Sequence, residues 1–296
     1  MIAPPPAHPG RLVYLGNPAV AVPPLDALHG AGHEVVLVLT SPNRRRGRRS
    51  APTPTPVAAR AAELGIPVSH DLEAVADCGA DLGVVVAFGQ IVPVELLVRV
   101  PMVNLHFSLL PRWRGAAPVE RALLAGDPTT GVCLMDLAEG LDVGDVHARV
   151  ETPIGPTDTA ADLRGRLAEL GATLLVDALA SGLGSPEPQA GEATYAHKVK
   201  REDLQLDWGR SAAELARVVR VGGAWTTFRG DDLKVWEAEV VDDLSTAAPG
   251  VLVDDQVATG AGDLRLVEVQ PASRSRMATS AWLAGARPAA GERLGE

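Results

Sequence analysis

Cysteine is almost missing from this 296-residue chain, which carries only Cys78 and Cys133. The two lack metal-ligand spacing and argue for reduced thiols in a cytoplasmic protein rather than for disulfide staples. Cys133 falls within an apolar strand pattern and reads as a small core residue. Lysine is nearly as scarce: Lys198, Lys200 and Lys234 stand alone, and arginine supplies the remaining positive charge. At a formal net charge of −10, the chain is unlike a protein that binds nucleic acid over its whole surface. Any such contact must use local basic patches. No apolar run approaches the roughly 20 residues that span a membrane. The opening residues, MIAPPPAHPG, lack the charged-then-apolar order of a signal peptide. A soluble protein with no membrane partner is expected. Internal repeats are missing, and so is the G-x-G-x-x-G turn, which leaves dinucleotide binding unsupported.

What is present is a globular composition, 46% hydrophobic, over a length that suggests two domains. A Pro-rich tail over residues 1–10 is expected to be disordered. Strand-like runs follow at 11–15 and 34–40, joined by a Gly16-Asn17-Pro18 turn and a helix to about residue 29. Strand, helix, strand at this spacing is a βαβ unit. The near-continuous β-branched character of EVVLVLT suits a strand buried on both faces. Further strands are read at 81–88, 102–105, 131–137 and 146–154, with a long amphipathic helix at 159–183. The fold class is therefore α/β, a Rossmann-like, open, mostly parallel sheet over residues 11–184. A linker occupies 185–203, where SPEPQAGEA is rich in Pro, Gly and Glu. Residues 204–296 carry five or so short strands with turn signals, which argue for a small barrel or sandwich.

The chemistry concentrates in residues 102–146. Asn104 and His106, at i and i+2, share one face at the carboxyl end of a buried strand. In an open α/β sheet that end is where ligands bind. Downstream, Asp142 lies between glycines in GLDVGD, a loop whose backbone can approach a ligand closely. An amide, an imidazole and a carboxylate carried on two sheet ends could converge on one reacting carbonyl. Taken singly, the Asn-x-His pair could be a structural hydrogen-bonded pair and GLDVGD a turn. A second concentration is SPNRRRGRRSAPTPTP, residues 41–56. Here Arg44, Arg45, Arg46, Arg48 and Arg49 crowd around Gly47, and Pro52, Pro54 and Pro56 stop any regular element. A solvated charge run is the plain alternative to a phosphate contact.

Together, and in this order, the Asn-x-His-x-Ser-Leu-Leu-Pro stretch and the Leu-Asp-x-Gly-Asp loop resemble the folate-dependent formyltransferases. LLPRWRGAAP and TTGVCLMDLAEGLDVGD resemble, more narrowly, the methionyl-tRNA formyltransferases. The resemblance covers residues 11–294 and is densest between 84 and 146. It implies transfer of a formyl group from 10-formyltetrahydrofolate to the α-amine of methionine on initiator tRNA. Asn104, His106 and Asp142 would be the catalytic residues. Gln90 and Val92, with Ser108, Leu109, Leu110 and Pro111, would line the folate pocket. The Arg44–Arg49 loop would hold the tRNA acceptor stem, Arg44 being the best match, with Lys198 and Lys200 running beside it. The C-terminal domain would be an OB-like barrel. A monomer without metal is expected, since His106 and Asp142 are too few ligands for a catalytic zinc. Asn17 stands where the family usually has Thr, and residues 221–225 and 254–258 look abbreviated. Rival readings are a small-molecule formyltransferase, a folate deformylase, and a non-catalytic RNA-binding protein.

Overall fold

The computed structural model describes residues 2, 4–45, 51–241 and 247–296. The chain divides into two compact units, the first comprising residues 1–118, 129–153 and 163–197.

Its centre is a seven-stranded sheet. The strands are β1 (Arg11–Gly16), β2 (Glu34–Leu39), β3 (Val68–Ser69), β4 (Leu82–Val86), β5 (Met102–His106), β6 (Thr129–Asp136) and β7 (Val146–Pro153). They lie in the order β7-β6-β5-β4-β1-β2-β3. The pairs among β1 to β5 are parallel, while β6 and β7 run antiparallel along one edge. Every residue of β4 and β5 is buried, so both faces are covered, which explains why β4 is apolar throughout. Val13, Leu15, Val85 and Met102 pack on one face with Val75 of α1 (Glu73–Asp77) and Leu96 and Leu97 of α2 (Val94–Arg99). Against Leu105 and Val132 lies Gly171 of the long helix Ala160–Ser181, where an added Cβ would stand 3.4–3.5 Å from those side chains. Asn104 and His106 alternate with Leu105 and so face the other way.

Several expectations change here. Neither α1 nor α2 was anticipated, because each is only one or two turns long and lacks a full amphipathic period. The prolines after the arginine cluster do not abolish regular structure: Arg44–Arg45 pairs antiparallel with Pro52–Thr53. A two-residue edge pairing leaves room for a residue without an N–H. Arg46, Arg48 and Arg49 lie outside the described residues. The Pro-rich tail, expected to be disordered, is held at two points: Ala7 O accepts from Leu183 N at 2.8 Å and Gly10 N donates to Asp81 at 2.9 Å.

The second unit comprises residues 119–128, 154–162 and 198–296. It holds an antiparallel sheet of β8 (Ala224–Phe228), β9 (Asp231–Val241), β10 (Leu252–Val253), β11 (Gln256–Ala258), β12 (Asp263–Pro271) and β13 (Met277–Ala278). Its order is β8-β9-β12-β11-β10, with β13 on β12. The helix Ala212–Val221 buries Leu215, Val218 and Val219 in a core shared with Trp208, Val235 and Trp282. That helix opens on a capping box, Ser211 with Glu214. The Ser211 hydroxyl, its backbone N–H and Arg210 bring the Glu214 carboxyl down to about 2. No helix among the described residues is long and apolar enough to cross a membrane.

Candidate active site

Strand β5 delivers Asn104 and His106, which are 9% and 5% exposed. The chain then folds into a tight loop that is closed by its own side chains. Ser108 Oγ donates to Arg112 O at 2.5 Å, and Trp113 takes a left-handed φ of 63°. This brings Trp113 O to 2.9 Å from His106 Nε2. A carbonyl only accepts, so Nε2 is the donor of this contact and Nδ1 is the ring position left for a second partner.

Asp142 reaches that position. Its Oδ2 lies 3.6 Å from His106 Nδ1 and accepts from Gly115 N–H at 2.7 Å. The two side chains arrive along strands of opposite direction. Because β6 is antiparallel to β5, Asp136 lies opposite Val103, and Leu137 N donates to Met102 O at 2.8 Å. The GLDVGD loop therefore leaves the sheet beside the amino end of β5 and comes back to His106. Strand direction has no mark in a single apolar run, so this could not be read in advance.

The loop is shaped to do this. Asp142 has φ 51°, and a Cβ on the buried Gly144 would lie 1.9 Å from Asp136 O. Gln189 binds the loop from outside, its Nε2 donating to Asp142 O at 2.9 Å and to Gly144 O at 2.8 Å. Its Oε1 accepts from Arg114 Nε and Nη2 at 3.0 and 2.6 Å. Neither Gln189 nor Gly115 was singled out from sequence. Gln189 sits in a stretch whose composition reads as linker, and Gly115 acts through its backbone.

Behind the loop, His147 Nε2 lies 2.7 Å from Asp136 Oδ1, and His147 Nδ1 lies 3.0 Å from Gly184 O. Burial pushes the His147 pKa down, but the Asp136 hydrogen bond and charge, the Gly184 carbonyl and Asp145 outweigh it, and the net shift is upward. Burial likewise pushes the Cys133 thiol up, as expected of a core cysteine.

The remaining sequence-derived residues fall in different settings. Val92 is part of the core with Phe88 and Leu96, while Ile91 beside it is 91% exposed and Gln90 donates to Ser41 Oγ at 3.3 Å. Leu110 is buried against Cys133, Met135 and Val146. Leu109 lies over Gly131, where a Cβ would meet it at 2.5 Å. Pro111, partly exposed, follows a cis peptide. Asn17 ties two rims together: Oδ1 accepts from Thr40 Oγ1 at 2.9 Å and Ser41 N at 2.7 Å, and Nδ2 donates to Phe88 O. It thus joins the root of the Arg44–Arg45 strand to the turn that carries Gln90 and Ile91. Lys198 and Lys200 belong to the second unit, and Lys200 Nζ is 3.4 Å from Glu202. Among the described residues no three His, Cys, Asp or Glu side chains converge as metal ligands.

Against known proteins, residues 10–179 match the family described as Formyl transferase, and residues 198–287 match Formyl transferase, C-terminal domain. The structure is similar to HypX from Aquifex aeolicus in complex with tetrahydrofolic acid, with TM-score 0.67 and 18% identity over 96% of this chain. It covers 48% of that protein, so the chain spans about half the length of HypX. It is also similar to the N-formyltransferase from Helicobacter canadensis in complex with folinic acid and dTDP-3-aminofucose. That comparison gives TM-score 0.66 and 17% identity over 88% of this chain and 98% of the other. Methionyl-tRNA formyltransferase from Clostridium thermocellum matches with TM-score 0.57 and 14% identity, over 77% and 92% of the two chains. At such identities these likenesses speak to the fold.

Proposed function

Because the chain belongs to the formyl transferase family, we propose that it moves a formyl group from 10-formyltetrahydrofolate to the α-amine of methionine on initiator tRNA. The observation that carries the chemistry is the Asp142 carboxylate, 3.6 Å from His106 Nδ1, on the strand face that also presents Asn104. The reaction makes a C–N bond to the methionyl amine and breaks the C–N10 bond. The amine must lose a proton to become the acylated product, and N10 must regain one. Between the two, an oxyanion on the formyl carbon needs donors.

Asn104 supplies an amide N–H for that oxyanion, a contact commonly worth about 2.7–4 kcal/mol. His106 Nε2–H is engaged by Trp113 O, which aims Nδ1 at Asp142. Asp142 takes the proton of the attacking amine, directly or through one water, and His106 Nδ1 shares it on the way to N10. Folate as donor is supported by the described ligands of the HypX and Helicobacter canadensis structures. The exposed Ile91 beside Gln90 offers an apolar surface for a flat ring.

The tRNA acceptor is supported by the cluster of five arginines between residues 44 and 49 in an otherwise acidic chain, of which Arg44 and Arg45 follow closely on Ser41, held by Asn17. An amino-sugar acceptor is the second reading, favoured by the fold likeness to the Helicobacter canadensis enzyme. The test uses purified protein, 10-formyltetrahydrofolate and initiator tRNA charged with radiolabelled methionine. Uncharged tRNA, free methionine and dTDP-3-aminofucose serve as alternative acceptors. Formyl-methionine released after deacylation, from charged tRNA alone, is the expected result. Formylated sugar without formyl-methionine would replace the acceptor and keep the chemistry.

A further inference from the structure

We infer that Gln189 is a positioning residue for Asp142, and that the segment joining residues 184 and 195 is a working part of the site. The inference rests on the formyl-transfer reading of Asp142 and deepens it.

The contacts form a closed ring. Gly115 N–H donates to the Asp142 carboxylate, and Asp142 O accepts from Gln189 Nε2. Gln189 Oε1 accepts both forks of the Arg114 guanidinium, and Arg114 is bonded through the backbone to Gly115. The second Nε2 proton goes to Gly144 O, so both donors of the amide are spent and its oxygen takes two. The side chain therefore has one orientation that satisfies everything around it. The ring is braced from the same segment, since Arg114–Gly115 pairs in parallel with Tyr195–Ala196 and Trp113 N donates to Thr194 Oγ1 at 2.9 Å.

What the ring holds is a conformation the chain would otherwise avoid. Asp142 has φ 51°, a left-handed backbone that a residue other than glycine keeps only where the surroundings over-determine it. Gln189 fastens the carbonyls of Asp142 and Gly144, one on each side of Val143. With both fixed, the carboxylate meets Gly115 N–H and His106 Nδ1 together. The sequence alone conceals this, because Gln189 is 47 residues from Asp142 and 75 from Arg114.

Gln189→Glu isolates the effect. Glutamate keeps the length and the Arg114 partner but presents an acceptor to two carbonyl oxygens. The amide proton of Gly115, in the 15N-labelled full chain without substrate, reports the Asp142 contact directly. Asp142→Asn defines the spectrum of the uncharged contact. In Gln189→Glu the Gly115 resonance is expected to move in the same direction as in Asp142→Asn, with Val103 unchanged. Arg114→Lys, which removes the fork from Gln189 without touching the loop, is expected to move it less and in the same sense. Glu192→Gln, an exposed change in the same segment, should leave it in place. An unmoved Gly115 amide in both Gln189→Glu and Arg114→Lys overturns the inference.

Kinetically, kcat for formyl transfer in Gln189→Glu should fall about 10- to 100-fold, the cost of misplacing a reacting group by up to an ångström, with KM for the donor little changed. The deficit should shrink as pH falls and the introduced carboxylate gains a proton that it can donate. A deficit identical at every pH overturns the inference, since a bulk structural effect would behave that way. If the wild-type chain transfers no formyl group at all, the formyl-transfer reading falls, and the Gly115 amide still decides whether Gln189 holds Asp142.

Discussion

Replacing Asp142 by asparagine removes one charge and almost nothing else. Asparagine adopts the left-handed backbone at least as readily as aspartate, so the φ of 51° is no obstacle. Its side-chain oxygen can still accept from Gly115 N–H, now 2.7 Å from Oδ2. The loss there is the difference between a charge-assisted and a neutral hydrogen bond, about 1 kcal/mol. For a domain of this size that amounts to roughly 2–4 °C in Tm. The chemistry should suffer far more, because a neutral amide cannot take the proton of the attacking amine. Loss of a general base typically costs about 10²- to 10⁴-fold, equivalent to roughly 2.7–5.4 kcal/mol in the barrier. Single-turnover transfer from 10-formyltetrahydrofolate to charged initiator tRNA measures the rate, and calorimetry measures the stability. A rate within about threefold of wild type, less than ~0.7 kcal/mol, would refute the role given to Asp142.

Arg44→Ala should raise the apparent KM for tRNA and flatten its dependence on salt, because one phosphate contact is lost; a change confined to folate affinity would remove the arginine loop from the tRNA interface. Gly144→Ala would force a Cβ to within 1.9 Å of Asp136 O. Backbone cannot yield as a side chain does, so urea unfolding should show a loss of about 1–3 kcal/mol or more. A wild-type urea midpoint would contradict the packing described. The raised pKa of His147 makes a signed forecast: its folded value lies above the unfolded one, so its stabilisation is complete below about pH 6.5 and is lost as pH rises through the folded value. Between pH 6 and 9 the wild-type urea midpoint should fall through this contribution, and Asp136→Asn should flatten the curve. Parallel curves would exclude the pair as the source.

The sheet was readable because buried parallel strands write themselves as valine- and leucine-rich runs with little polar interruption, as in Glu34–Leu39 and Leu82–Val86. Asn104 and His106 were readable for a related reason, as polar side chains set at i and i+2 in such a run. Their geometric relation to Asp142 was not. It depends on β6 running antiparallel, on the turn at Trp113 and on a glutamine from a stretch with the composition of a linker. The short α1 and α2 were lost because one or two turns cannot display a helical period. The pairing of Pro52–Thr53 with Arg44–Arg45 was lost because proline was weighed as a breaker when at a two-residue edge it is tolerated.

The edge strand Val146–Pro153 also takes a partner from beyond the long helix: Val146 and Glu187 exchange backbone hydrogen bonds at 2.8 and 2.9 Å. Composition would invite a cut after Gly184, yet such a cut would leave that strand end bare and carry away Gln189 and the partner of Arg114–Gly115. A transplant of the first unit onto another carrier would need to run through His197. The boundary suggested by composition, residue 184, and the end of the compact unit, residue 197, thus differ by 13 residues, and only the second retains Gln189 against the Asp142 loop.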